Sequence, residues 1–226
     1  MEIRRVPRTI EAGAPSGYYN TPPLDGSRPG IFWINLRETA ENPGWLMPTI
    51  VFHETIPGHH LQGSLSNEAQ GLPLLRKTLG NSGYLEGWAL YTEQLAVEMG
   101  LYDGDPFGHI GQLHDAMLRA VRMVADSGIH TRRWSREQAV RYFADSLGDE
   151  ESAAVSEIER YCVWPGQACS YTIGKLTLLR ARDKARKTMG QGFDIRRFHD
   201  VVLLSGAMPL DVLERRVDDW IASSQA

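Results

Sequence analysis

The segment His53-Glu54-Thr55-Ile56-Pro57-Gly58-His59-His60 gathers three imidazoles and a carboxylate. Neutral imidazole is a good zinc ligand, and an adjacent glutamate can take a proton from water that the metal activates. The common form of this chemistry is H-E-x-x-H, with the two histidines four apart on one helical face. Here Pro57 stands where the second histidine belongs, and the next ones are His59 and His60. On a straight helix His59 is about 120° out of phase with His53, and His60 returns to the face roughly 10 Å along the axis. Zinc–nitrogen bonds of about 2.0–2.1 Å suit neither. The segment breaks such a helix, because Pro57 has no N–H for the carbonyl of His53 and Gly58 accepts almost any backbone conformation. A bulge that absorbs two residues brings His59 to the second ligand place; one that absorbs three brings His60. His59 is the expectation and His60 its alternative, with the unused histidine supporting the site or touching substrate.

A catalytic zinc site needs a third protein ligand and an open position. Glu86, in Tyr84-Leu85-Glu86-Gly87-Trp88-Ala89-Leu90-Tyr91, is the candidate, and Gly87 allows a neighbouring helix to approach closely. Glu93 falls one heptad later on the same face, as a supporting or a solvated group.

The elements that must position these residues are mostly helical. Residues 1 to about 48 are rich in Pro, Gly and aromatics, and Glu2 to Val6 and Gly30 to Leu36 read as short strands. From Pro48 onward helical periodicity dominates. Helices are expected over about 83–99, closed by Gly100, and over about 106–127. Ser135 is expected to cap a helix over 139–147, followed by helices over 150–161, 171–189, 193–204 and 210–223. The expectation is one mainly α domain over 1–226, with a strand and loop element over 1–48 and a helical part over 49–226.

Composition bounds the partners. The chain has 226 residues and a net charge of -4, which gives no basic field for nucleic acid or an anionic membrane. No apolar run approaches the roughly 20 residues of a membrane helix. The start, Met1-Glu2-Ile3-Arg4-Arg5, lacks the apolar stretch of a signal peptide, so the chain as given reads as cytoplasmic. Cys162 and Cys169 read as reduced core thiols. A half-covered helical chain exposes apolar faces, so a homo-oligomer is an expectation.

At HETIPGHHLQ (His53 to Gln62) and YLEGWALYTE (Tyr84 to Glu93) the chain resembles the bacterial proteins grouped as domain of unknown function 885. Arg122 to His130 with Trp134 and Ala139, and Trp164 to Lys175, are similar to two further blocks of that family. The resemblance runs from about Val6 to the end and implies a zincin-like metallopeptidase fold. It implies His53, His59 and Glu86 as zinc ligands, with His60 as rival to His59, and Glu54 as general base. Members of this family are usually longer, with a helical region ahead of the present segment and with export open to them; the chain resembles their C-terminal, active-site portion. Oligopeptidases carry H-E-F-G-H and dipeptidyl peptidase III H-E-L-L-G-H. In both the ligand directly follows Gly, as His59 follows Gly58 here.

The expected chemistry is hydrolysis of a peptide or small amide substrate. Zinc polarises water and carbonyl, and Glu54 moves the proton to the leaving amine. Tyr171, read in a turn before a helix, is the first candidate to donate to the oxyanion, and His130 the second. Asp126 is a candidate to orient a ligand imidazole. Gly30 to Leu36 is a candidate edge strand for an extended peptide. Arg122, Arg180 and Arg182 are candidate carboxylate clamps. His109, His114 and His199 read as structural. The competing expectation is a catalytically silent binding or scaffold domain.

Overall fold

The computed structural model describes residues 1–38 and 42–224, so residues 39–41 of the front element and the last two residues lie outside the described residues. The fold is mainly α with a small three-stranded sheet at its front. Strands β1 (Glu2–Arg5), β2 (Gly17–Asn20) and β3 (Ile31–Ile34) lie in the order β1-β3-β2. β3 pairs parallel with β1 and antiparallel with β2, with Tyr19 opposite Phe32. The stretch named as a candidate edge strand is therefore central, as an ordinary core strand would be, and β2, which the Pro- and Gly-rich composition concealed, is an edge. Phe32 is fully buried, so the apolar run of β3 is explained by cover on its faces.

The helices are α1 (Met47–Glu54), α2 (His59–Glu68), α3 (Leu74–Thr78), α4 (Ser82–Glu98) and α5 (Pro106–Arg132). They continue as α6 (Arg136–Leu147), α7 (Glu151–Val163), α8 (Gln167–Met189), α9 (Ile195–Leu203) and α10 (Leu210–Ser223). Side-chain caps satisfy orphan backbone N–H groups at several starts. Asn81 accepts from Tyr84 N at 3.0 Å, Asp105 from Gly108 N at 2.9 Å and Ser135 from Gln138 N at 3.1 Å. Gly148, at φ 72°, ends α6 in the left-handed conformation that glycine tolerates.

Two apolar clusters build the core. One gathers Trp88, Tyr91, Leu178, Phe198, Val202, Leu213 and Val217 from α4, α8, α9 and α10. The other gathers Val121, Ala125, Phe143, Ile158 and Tyr161 from α5, α6 and α7, and includes Ala168 at the start of α8. Helix α8 takes part in both. It crosses α4 backbone to backbone: a Cβ on Gly87 would sit 2.5 Å from Gly174 Cα, and one on Gly174 would strike the carbonyl of Gly83. Gly87 does permit a close approach, and the partner is α8.

The cysteines are unpaired, but they are not core residues: Cys162 is exposed and Cys169 half-buried.

Candidate metal centre

The segment from His53 to His60 is not one bent helix. It is two helices joined by the turn Thr55–Gly58. Thr55 N closes α1 on Val51 O at 2.9 Å, and Thr55 O then accepts from His60 N at 3.1 Å. Pro57 cannot continue the ladder, and Gly58 lies against the end of α1, where a Cβ would collide with the carbonyls of Phe52 and His53. Trp88 of α4 fastens the turn by donating from Nε1 to Pro57 O at 2.9 Å. His53 thus closes α1, His59 opens α2, and Glu86 faces both from α4.

The three candidate ligands meet. One ligand atom from each of His53, His59 and Glu86 lies within 4.8 Å of the others. Glu86 Oε2 is 3.2 Å from His59 Nε2 and 3.6 Å from His53 Nε2, and the two imidazole rings stand edge to face at 4.9 Å. Ligand atoms on a tetrahedral zinc with bonds of about 2.05 Å are about 3.4 Å apart, and the two distances from Glu86 Oε2 to the imidazoles match that spacing. Two imidazoles and a carboxylate are also the donor chemistry of a catalytic zinc site.

Supporting groups hold two of the three ligands, His53 and Glu86. Nδ1 of His53 lies 2.7 Å from Glu93 Oε1, and Thr49 Oγ1 donates to Glu93 Oε2 at 3.0 Å. Gln167 Nε2 donates to Glu86 Oε1 at 3.4 Å and to the Tyr171 hydroxyl at 3.2 Å. Burial alone would lower the pKa of His53, yet its hydrogen bonds to Glu86 and Glu93 outweigh this and raise it well above the ordinary value. Burial would raise Glu86, but hydrogen bonds from His53 and His59 hold it well below the carboxylate range. Burial, and then the charge of Asp115, push the Glu93 carboxyl above the ordinary carboxylate range. An imidazole lodged between two carboxylates is a setting that favours a cation.

Glu54 follows His53 and is buried, and its Oε2 has no hydrogen-bond partner among the described residues. A buried carboxylate oxygen left unpaired is costly, and it suits a group that handles a proton. His60 turns away from the three ligands, with Nδ1 2.7 Å from the Tyr19 hydroxyl. The close set therefore contains His59, and His60 serves the sheet side.

Tyr171 reaches the site from within α8, in its second turn rather than in a turn before a helix. Its ring stacks on that of His53 at 6.2 Å, and the Arg119 and Arg122 guanidiniums lie 4.5 and 4.6 Å from its centroid. His130 is committed elsewhere: its Nε2 donates to Tyr161 O at 3.0 Å and lies 3.8 Å from Asp126. Asp126 does not orient an imidazole of the cluster. It accepts from Gly166 N at 2.9 Å, at the start of α8, and Glu93 holds the imidazole instead. The candidate clamps are engaged too. Arg122 faces Glu157 at 3.2 Å, Arg180 faces Glu214 at 3.5 Å, and Arg182 faces Glu98 at 2.8 Å. His114 pairs with Asp149 at 3.1 Å, His199 with the Tyr91 hydroxyl at 2.8 Å, and His109 stacks on Tyr102 at 5.8 Å. Thr49, Gln167 and Tyr19 are site residues that sequence reasoning missed. Gln167 could have been found from its spacing, one helical turn before Tyr171.

No curated protein matches. A crystal structure described as a "putative lipoprotein" from Colwellia psychrerythraea is similar at 48% identity and a TM-score of 0.95, covering 98% of this chain and 38% of that one. A second "putative lipoprotein of unknown function", from Shewanella oneidensis, shares the fold at 24% identity and a TM-score of 0.78, covering 89% of this chain and 38% of that one. The chain thus spans well under half the length of either structure. No helix among the described residues is long and apolar enough to cross a membrane. The family pattern of bacterial proteins of unknown function, DUF885, matches residues 1–217, and the chain belongs to that family.

Proposed function

We propose that this chain is a zinc-dependent hydrolase of peptide or amide bonds, with a zincin-like site. The observation that carries the reading is the meeting of His53, His59 and Glu86 within 4.8 Å, beside a buried Glu54 oxygen that has no partner among the described residues. Zinc held there supplies Lewis acidity and makes water a nucleophile near neutral pH. Glu54 takes the proton from the attacking water and delivers it to the leaving amine. The Tyr171 hydroxyl accepts from Gln167 and keeps its own proton free for a developing oxyanion. Glu93 holds the tautomer of His53, and Gln167 the rotamer of Glu86.

The test is hydrolysis of a quenched-fluorescence peptide library by the zinc-loaded chain and its Glu54→Gln variant. The reading expects the variant to keep zinc and to lose at least about 100-fold in turnover. Equal turnover in both would remove the assigned base.

One observation favours the scaffold reading: the chain spans 38% of the length of each similar structure. Exposed Phe107, Ile110, Leu113 and Met117 along α5 support self-association. The lipoprotein description of both similar structures supports export of the longer relatives rather than a cytoplasmic setting for them.

A further inference from the structure

His60 has no place in the metal cluster, yet its surroundings are built. It stands in the first turn of α2, next to His59. Two hydroxyls converge on its Nδ1: Tyr19 at 2.7 Å and Ser64 at 3.3 Å. Tyr19 comes from β2, an edge strand whose outer side has no strand partner among the described residues. The phenol is seated over Gly30, where any Cβ would overlap its hydroxyl. The rings of Tyr19 and His60 are 5.5 Å apart. Nε2 of His60 meets no hydrogen-bonding group among the described residues and stays open to solvent.

The contact defines a tautomer. A phenol hydroxyl donates better than it accepts, and an unprotonated imidazole nitrogen is a good acceptor, so the pairing at 2.7 Å favours O–H···N. Burial pushes the Tyr19 phenol up to about 12, so it keeps its proton. The Tyr19 hydroxyl therefore donates to Nδ1, and the imidazole proton resides on Nε2. The result is a neutral N–H donor, fixed in direction, that bridges the edge strand to the helix carrying His59. An extended peptide has a main-chain carbonyl to offer such a donor at every residue.

We infer that His60, held as its Nε2–H tautomer by Tyr19, donates a hydrogen bond to a main-chain carbonyl of an extended peptide substrate lying between β2 and the metal cluster. His60 is then a substrate-binding residue and Tyr19 a positioning residue. The inference rests on the hydrolase reading, and its test separates the two. No bond is made or broken by either residue. The contact acts on the ground state and the transition state alike, so it belongs to KM.

The test uses long-range proton–nitrogen NMR on the zinc-loaded Glu54→Gln chain, titrated with N-acetyl-hexa-alanine. The expected result is a single Nε2–H tautomer whose Nε2 resonance moves as peptide is added, and a mixture of tautomers in the Tyr19→Phe background. An Nδ1–H tautomer overturns the inference. So does a peptide that shifts amides around His53 and Glu86 while leaving Nε2 of His60 in place, an outcome that spares the hydrolase reading. A peptide that shifts nothing overturns both. In the Glu54 background, turnover adds a second readout. His60→Ala is expected to raise KM about tenfold with kcat within about threefold, and His60→Gln, which restores an N–H donor, to recover part of the loss. A fall in kcat at unchanged KM contradicts the assignment.

Discussion

Nδ1 of His53 and Oε1 of Glu93 are 2.7 Å apart in the interior, and Thr49 occupies the other carboxylate oxygen at 3.0 Å. With a metal on Nε2, Nδ1 would carry the remaining proton and donate it to Glu93. The pair links the last turn of α1 to the middle of α4. It sets the direction of the first ligand before any ion arrives, and partners of this kind are where the affinity of a metal site is tuned.

Glu93→Gln keeps the shape of the side chain and removes its charge. Zinc affinity is expected to fall about 10- to 100-fold, read by competition with a chromophoric chelator. Unchanged affinity would show that His53 is oriented by packing alone.

Exchanging His59 and His60 separates the two candidate ligands. His59→Ala is expected to abolish tight zinc binding, since it removes one of three donors. His60→Ala is expected to retain about one equivalent by elemental analysis, because its Nδ1 faces Tyr19. The reverse pattern would reassign the second ligand.

The crossing of α4 and α8 is sterically closed. Gly87→Ala places a Cβ 2.5 Å from Gly174 Cα, and backbone must move to admit it. A loss of about 1–3 kcal/mol in urea unfolding is expected, with weakened zinc binding because Glu86 precedes the contact. A variant as stable as the parent would mean that the helices can separate freely.

Stability also responds to acid through His199. Burial, then the charge of Arg182, lowers its pKa from 6.5 to about 4. The folded state leaves it neutral where the unfolded chain protonates it. The contribution is complete above about pH 6.5 and is lost as pH falls toward 4. From pH 7 to pH 5 this amounts to about 2 kcal/mol. His199→Gln is expected to flatten that part of the pH profile of unfolding free energy, and an unaltered slope would assign the acid sensitivity to other groups.

Residue types and spacing made much of the site legible. His53, Glu54 and Glu86 carry chemistry by type, and the heptad from Glu86 to Glu93 placed both carboxylates on one face of α4. Helix limits at Ser135, Pro106 and Gly100 were readable because caps and breakers act locally. The turn between α1 and α2 was only half legible. Pro57 and Gly58 announce a break, but the return of His59 to the cluster depends on Trp88 holding Pro57 from another helix. Sheet order was not legible, since nothing local tells β3 that β2 lies on its far side. For the same reason the bond from Tyr19 to His60, 41 positions apart, was invisible. Tyr171 was named as a site residue with the wrong local structure, because Pro165 and Gly166 end just before the helix that contains it.

The central claim is that two imidazoles and one carboxylate, from α1, α2 and α4, hold a zinc ion. X-ray absorption at the zinc edge, on chain dialysed to constant metal content, tests it most directly. The account predicts about one zinc per chain, with two imidazole nitrogens and light oxygen scatterers at about 2.0–2.2 Å, and loss of that signal in Glu86→Ala. A chain that retains no zinc, or zinc bound through sulfur, would contradict it.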